Sequence, residues 1–296
     1  MARPTIVVMR KNLAISAAGC LLLFSGAVAS VPVMTAATTS LPPQALLDKG
    51  YRQMYNMDFI GAHATFADYE RANPTSAMGP VSDAAAYLFT EMDRLNILRS
   101  DYLTKDESFF AVNKPPPGDP TIKRRFEDAL ARAQQLAGAT LKQSPNDPDA
   151  LLASTMALGL HANYLAMIEK KNFAALSEVK ESTALAEKLL AVHPDVYDAY
   201  IAQGIENYLL SQKNAAIRWF LRMGGAQTDK QVGIEKTSVT AEKGHYFMPY
   251  ARLLLAIQEL RDNNRVDAKQ KLMWLASEYP GNHLYREELE RLVIAK

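Results

Sequence analysis

Past residue 40 the apolar positions recur at intervals of three and four, as in Phe126, Leu130, Ala133, Leu136 and Ala137, and again in Leu253, Leu254, Ile257 and Leu260. That spacing lines one face of an α-helix, and no segment shows the sustained Val, Ile and Thr alternation of a half-buried strand. The pattern predicts an all-α chain. Four tetrapeptides then divide it: Ala72-Asn73-Pro74-Thr75, Gln143-Ser144-Pro145-Asn146, Val192-His193-Pro194-Asp195 and Glu278-Tyr279-Pro280-Gly281. Each ends one amphipathic run and begins another, because proline disfavours helix at the residue before it and the neighbouring Asn, Asp or Ser can cap a helix. Four such stops predict repeated helix-turn-helix units.

The N-terminus follows a different pattern. Arg3, Arg10 and Lys11 precede an uncharged apolar run, Leu13 to Ala29, that closes on Ala27-Val28-Ala29. A basic start, a short apolar stretch and a small-x-small exit form the layout of a secretory signal peptide over residues 1–29. Residues 30–40 then read as a disordered polar segment, and 41–296 as a single helical domain. Two alternatives accompany cleavage. The run is about long enough to stay as an uncleaved anchor helix, and Cys20, after Ala17-Ala18-Gly19, weakly resembles a lipobox and so a lipid anchor. Export, most simply to a periplasm, is the expected destination, with no membrane-spanning segment after cleavage.

Composition narrows the classes of function. With 48% apolar and 22% charged residues the chain is an ordinary globular one. Its net charge of +1 gives no electrostatic footprint for nucleic acid. One cysteine excludes an intramolecular disulfide framework and any paired-cysteine zinc or redox site. The five histidines, 63, 161, 193, 245 and 283, show no HExxH-type spacing. No metal, cofactor or catalytic residue is therefore expected, and the chain reads as a non-enzyme. Glu91, Asp93 and Arg94 read as a solvated, ion-paired helix face. Thr228 or Asp229 reads as the cap of a helix that follows Gly224-Gly225. Three prolines in a row, Pro115 to Pro117, make residues 100–120 a proline-rich connector.

The proline-punctuated hairpins resemble the tetratricopeptide repeat (TPR), in which small residues let two helices approach and a bulky one fills the gap to the next hairpin. Counting back from Pro74 places Gly50, Ala62 and Phe66 at those positions, with Asp58 and Phe59 in the inter-helix turn. Counting back from Pro280 places Ala256, Ala268 and Leu272 there. Pro145 and Pro194 give poorer matches, at Ala133 and Ala137 and at Ser182 and Ala186. The prolines are unevenly spaced, so two good units, Leu46 to Pro74 and Tyr250 to Pro280, flank longer, divergent hairpins. An echo of Gly159-Leu-His-Ala-Asn163-Tyr164-Leu165 in Gly204-Ile-Glu-Asn207-Tyr208-Leu209 points to internal duplication. Residues 198–260 are similar in motif order to exported bacterial TPR-like proteins of divergent repeat. The resemblance implies an α-solenoid, or superhelix, of TPR-like hairpins.

Stacked hairpins make extended grooves. The expected role is therefore a non-catalytic scaffold that binds another protein or peptide in the cell envelope. Candidate binding residues are Asn163, Tyr164, Asn207, Tyr208, Arg218, Trp219, Arg222, His245 and Tyr246. Arg218, Trp219 and Arg222 form a guanidinium pair beside an aromatic ring, which either suits a carboxylate or acidic peptide or, with Trp219 in the hairpin core, ties neighbouring hairpins through Glu206, Asp229 or Glu235. The amides and phenols could line a groove or satisfy one another between hairpins. The alternative is a small-molecule carrier or an enzyme with a pocket between the middle hairpins. That pocket would draw together Tyr208, Arg218, Arg222, His245 and Tyr246.

Overall fold

A computed structural model of the chain describes residues 41–98, 117–211 and 227–294. The expected signal peptide and polar segment, most of the proline-rich connector, and Arg218, Trp219 and Arg222 lie outside the described residues. Among those described there are eleven α-helices and no strand. They are α1 (Pro43–Tyr55), α2 (Phe59–Ala72), α3 (Met78–Arg94), α4 (Pro120–Gln143), α5 (Pro148–Asn163) and α6 (Asn172–Val192). After a single 3-10 turn at Tyr197–Ala199 come α7 (Tyr200–Ser211), α8 (Lys230–Lys243), α9 (Met248–Arg261), α10 (Arg265–Glu278) and α11 (His283–Ile294). Each helix packs chiefly on the one before and the one after it, so the fold is an all-α, solenoid-like stack of hairpins.

Local chemistry sets the boundaries. Helices α2, α4, α6 and α10 all stop two residues short of a proline, and each closes with a backbone N–H bonded four residues back. Asp58, Asp119, Asp147, Asp229 and Asn264 cap the starts of α2, α4, α5, α8 and α10 by accepting from first-turn N–H groups. The outer hairpins have short helices, 13 and 14 residues in α1 and α2 and 14 each in α9 and α10. Two of the middle helices are longer, with 24 residues in α4 and 21 in α6, whereas α7 and α8 have 12 and 14. The close approach expected at Gly50 is present, since a Cβ there would stand 2.3 Å from the Phe66 ring.

One sequence expectation is corrected. Glu91 is not on a solvated face: it is fully buried, accepts two 2.8 Å hydrogen bonds from Arg94, and accepts a third from the Asp119 backbone N–H at 2.6 Å. Its helical phase explains this. Ala84, Leu88, Glu91 and Met92 recur at three and four along the inward face of α3, so the carboxylate points into the fold and pins the chain entering α4.

The stack winds far enough for its ends to meet. Helix α1 lies against the turn before α9 and the turn between α10 and α11. The Tyr55 hydroxyl donates to the Tyr246 carbonyl at 2.9 Å, and Asn282 Nδ2 donates to the Tyr55 carbonyl at 3.0 Å. Asn56 Oδ1 accepts from the Gly281 N–H at 2.9 Å. Aromatic rings fill the seam: Tyr51 packs on Tyr246 at 4.8 Å, Tyr55 on Tyr279 at 5.5 Å, and Phe89 of α3 on Tyr250 of α9 at 5.9 Å. Helix α9 therefore faces α3 across the interior.

Candidate functional site

The interior holds a chamber of about 90 Å³ walled by α3, α5, α7, α8 and α9. Helix α9 supplies one long side through Tyr250, Leu253, Leu254, Ile257, Gln258 and Arg261, positions that share a single helical face. At 1.5 Å per residue this stripe is about 16 Å long. The opposite side is built from two glycine contacts. A Cβ on Gly204 would meet Thr237 Oγ1 at 2.3 Å, and one on Gly233 would meet the Tyr208 backbone N at 2.6 Å. Only glycine lets α7 and α8 come this close, and the approach turns Ile205, Tyr208, Ile234 and Thr237 into the chamber.

The third wall comes from the end of α5. There the helix widens into a π-helical turn, Tyr164–Ile168, which places Asn163 and Met167 on the chamber. Such widened turns are frequent at functional sites. Asn163 lies beside the Tyr250 phenol, which burial pushes up to about 12 and the Asn163 amide pulls back. A neutral amide–phenol pair is thus held between walls that are otherwise mostly Met, Leu and Ile. A second, smaller cavity of about 30 Å³ lies beyond Leu98, Leu253 and Ile257, which line both spaces.

The sequence-predicted residues divide among three places. Asn163 and Tyr208 line the chamber. Tyr164 is buried in the π-helical turn and stacks on Phe126 at 5.1 Å; burial pushes its phenol up to about 12, against the pull of Lys123. Asn207 ties down the entry to α8, with Nδ2 donating to Gln227 Oε1 at 2.7 Å and Oδ1 accepting from the Asp229 N–H at 3.0 Å. His245 and Tyr246 belong to the seam. His245 Nε2 is 2.6 Å from Asp48 Oδ1, and the Tyr246 hydroxyl accepts from Gln44 Nε2 at 3.0 Å. Tyr208, His245 and Tyr246 therefore do not share one cavity.

The chamber's main residues were not among those candidates, yet two signals in the sequence mark them. One is the α9 stripe. The other is a repeated Gly-Ile pair, Gly204-Ile205-x-x-Tyr208 and Gly233-Ile234-x-x-Thr237, which presents the same spacing on both glycine helices.

Among the described residues no group of three or more His, Cys, Asp or Glu could hold a metal ion. The segment Pro148–Ile168 is long and apolar enough to cross a membrane, and two-thirds of its most apolar window is buried inside the fold. Comparison of the chain with protein-family models, with curated proteins and with solved structures returned no match.

Proposed function

We propose that this is an exported, non-catalytic binding protein of the cell envelope, a TPR-like solenoid that holds an apolar ligand inside its own winding. The observation that carries this reading is the chamber, lined from five helices mostly by apolar side chains, with Asn163, Tyr208, Thr237, Tyr250, Gln258 and Arg261 as its polar groups. Ligand pockets are characteristically apolar, with few polar groups to fix orientation. The closed seam at Tyr55, Tyr246 and Asn282 favours an enclosed ligand over a peptide laid along an open groove.

The test is isothermal titration calorimetry of the purified protein with 1-octanol, alone and with Ile205→Trp, which fills the chamber from α7. Saturable uptake by the wild type, lost in a folded Ile205→Trp variant, is the expected result. Uptake that is absent, or unchanged by the substitution, refutes it.

A protein or peptide partner is the second reading, favoured by Phe173, which is 92% exposed in the first turn of α6. Aromatic residues, phenylalanine among them, are enriched at protein interfaces. Capture of the same envelope protein by wild type but not by Phe173→Ala supports that reading.

A further inference from the structure

The structure assigns the Arg261 end of the chamber to the head of the ligand and makes that ligand a monocarboxylate with an apolar body. This rests on the ligand-binding reading above and adds the head group and its place.

Charge comes first. Among the described residues that line the chamber, Arg261 alone carries a formal charge. It is the last residue of α9 and half-buried, and Tyr250 stands about 16 Å away at the other end of the stripe. The carboxylate next to it, Asp262, is already engaged, accepting from Lys230 Nζ at 2.7 and 2.8 Å. A guanidinium has five N–H donors, enough to hold a neighbour and the oxygens of a ligand together.

Further donors gather at the same end. Gln258, one turn back along the stripe and only 6% exposed, gives one amide hydrogen to Asp262 Oδ2 at 3.3 Å and has a second to give. Tyr208 enters from α7 at the level of Gly233, which lies one turn into α8 from Lys230, the residue that holds Asp262. The other polar groups are engaged or distant. The Thr237 hydroxyl donates to the Gly233 carbonyl at 2.8 Å, and the uncharged Asn163 stands with Tyr250 at the far end. Between the two ends Ile205, Ile234, Leu253, Leu254 and Ile257 make a wall for hydrocarbon.

Chemistry then selects the head. An arginine fork matches the two oxygens of a carboxylate. One guanidinium balances one negative charge, whereas a phosphate monoester brings about −1.5 to −2. A carboxylate held there sends its apolar body along α9 toward Tyr250.

The experiment is isothermal titration calorimetry near neutral pH with three probes of equal chain length: octanoate, 1-octanol and octylammonium. Wild type is expected to bind octanoate about tenfold more tightly than octanol, and octylammonium most weakly. Arg261→Gln brings octanoate down to the level of octanol and leaves octanol unchanged. Asp262→Asn, which removes the acidic neighbour, widens the octanoate advantage about twofold. Circular dichroism checks folding, and if Arg261→Gln unfolds, the Asp262→Asn shift decides, its absence overturning the assignment. Octanoate no tighter than octanol in wild type, or an advantage that survives in folded Arg261→Gln, overturns the head site, while octanol binding leaves the chamber reading intact. If none of the three probes binds, both readings fall together.

Discussion

Asp198 sits in the 3-10 turn before α7, only 4% exposed, yet its carboxylate serves another hairpin. It accepts from the backbone N–H groups of His245 at 3.0 Å, Tyr246 at 3.2 Å and Phe247 at 2.8 Å. These N–H groups lead into α9, whose N-cap residue Phe247 has no capping side chain of its own. The same turn carries the Tyr246 carbonyl and ring that receive α1. Asp198→Ala leaves three donors without their acceptor. An orphaned buried donor costs about 1–3 kcal/mol, and because the three relax together, the expected total is about 3–5 kcal/mol, in line with loss of one partner from a buried charged network. That is a large share of the about 5–15 kcal/mol a domain possesses. Asp198→Asn keeps one oxygen and turns an amide NH2 toward the donors, so it costs less than the alanine. Urea unfolding followed by circular dichroism measures the loss, and amide exchange at residues 245–247 locates it. A loss under about 1 kcal/mol, with unchanged exchange at those amides, refutes the reasoning. The pH dependence has a definite sign. Burial raises the Asp198 carboxyl above its ordinary value, and the Phe247, Tyr246 and His245 N–H bonds pull it only part of the way back. A folded-state value above the unfolded one gives a contribution that is complete below about pH 3.9 and lost as pH rises through the folded value. The margin of wild type over Asp198→Asn therefore shrinks from about pH 4 upward.

Two pairs of substitutions separate close packing from open space and buried charge from surface charge. A Cβ at Gly233 would stand 2.6 Å from the Tyr208 backbone N, so Gly233→Ala is expected to destabilise by about 1–3 kcal/mol. Gly138 in α4 has nothing within 4 Å, so Gly138→Ala should stabilise by up to about 1 kcal/mol in the same thermal or urea assay. Glu91→Ala strands the Asp119 N–H, while the part-exposed Arg94 keeps its bond to the Pro117 carbonyl, and should cost about 1–3 kcal/mol in urea unfolding, more than removal of the exposed Asp68 from its pair with Arg71.

The local half of this fold was legible because it is encoded locally. Proline stops, first-turn caps and the Gly50–Phe66 approach each depend on residues within one hairpin, and the chain obeys them. Burial of Glu91 was misread because a nearby arginine was weighed and helical phase was not. The seam was illegible for another reason: it joins Tyr55 to residues 191 and 227 positions away, and how far a solenoid winds is the sum of many small inter-helix rotations.

The echo between Gly159 and Gly204 shows how fine the limit is. Both glycines sit in the first helix of a hairpin and face its second helix, Gly159 toward Ser182 and Gly204 toward Thr237 and Gly233. Matching the motifs by eye pairs Asn163 with Asn207 and Tyr164 with Tyr208. Counted from the glycines, however, Asn163 is four residues on and Asn207 only three. One residue is about 100° around a helix, enough to move a side chain from one neighbour to another. The position equivalent to Asn163 is therefore Tyr208, and those two line the chamber together. Asn207 falls on the face that ties down the start of α8, and Tyr164 on the one that stacks against Phe126. Half of that motif is site and half is scaffold, and the register that separates them is set by the glycines, because contact between paired helices fixes which face looks inward.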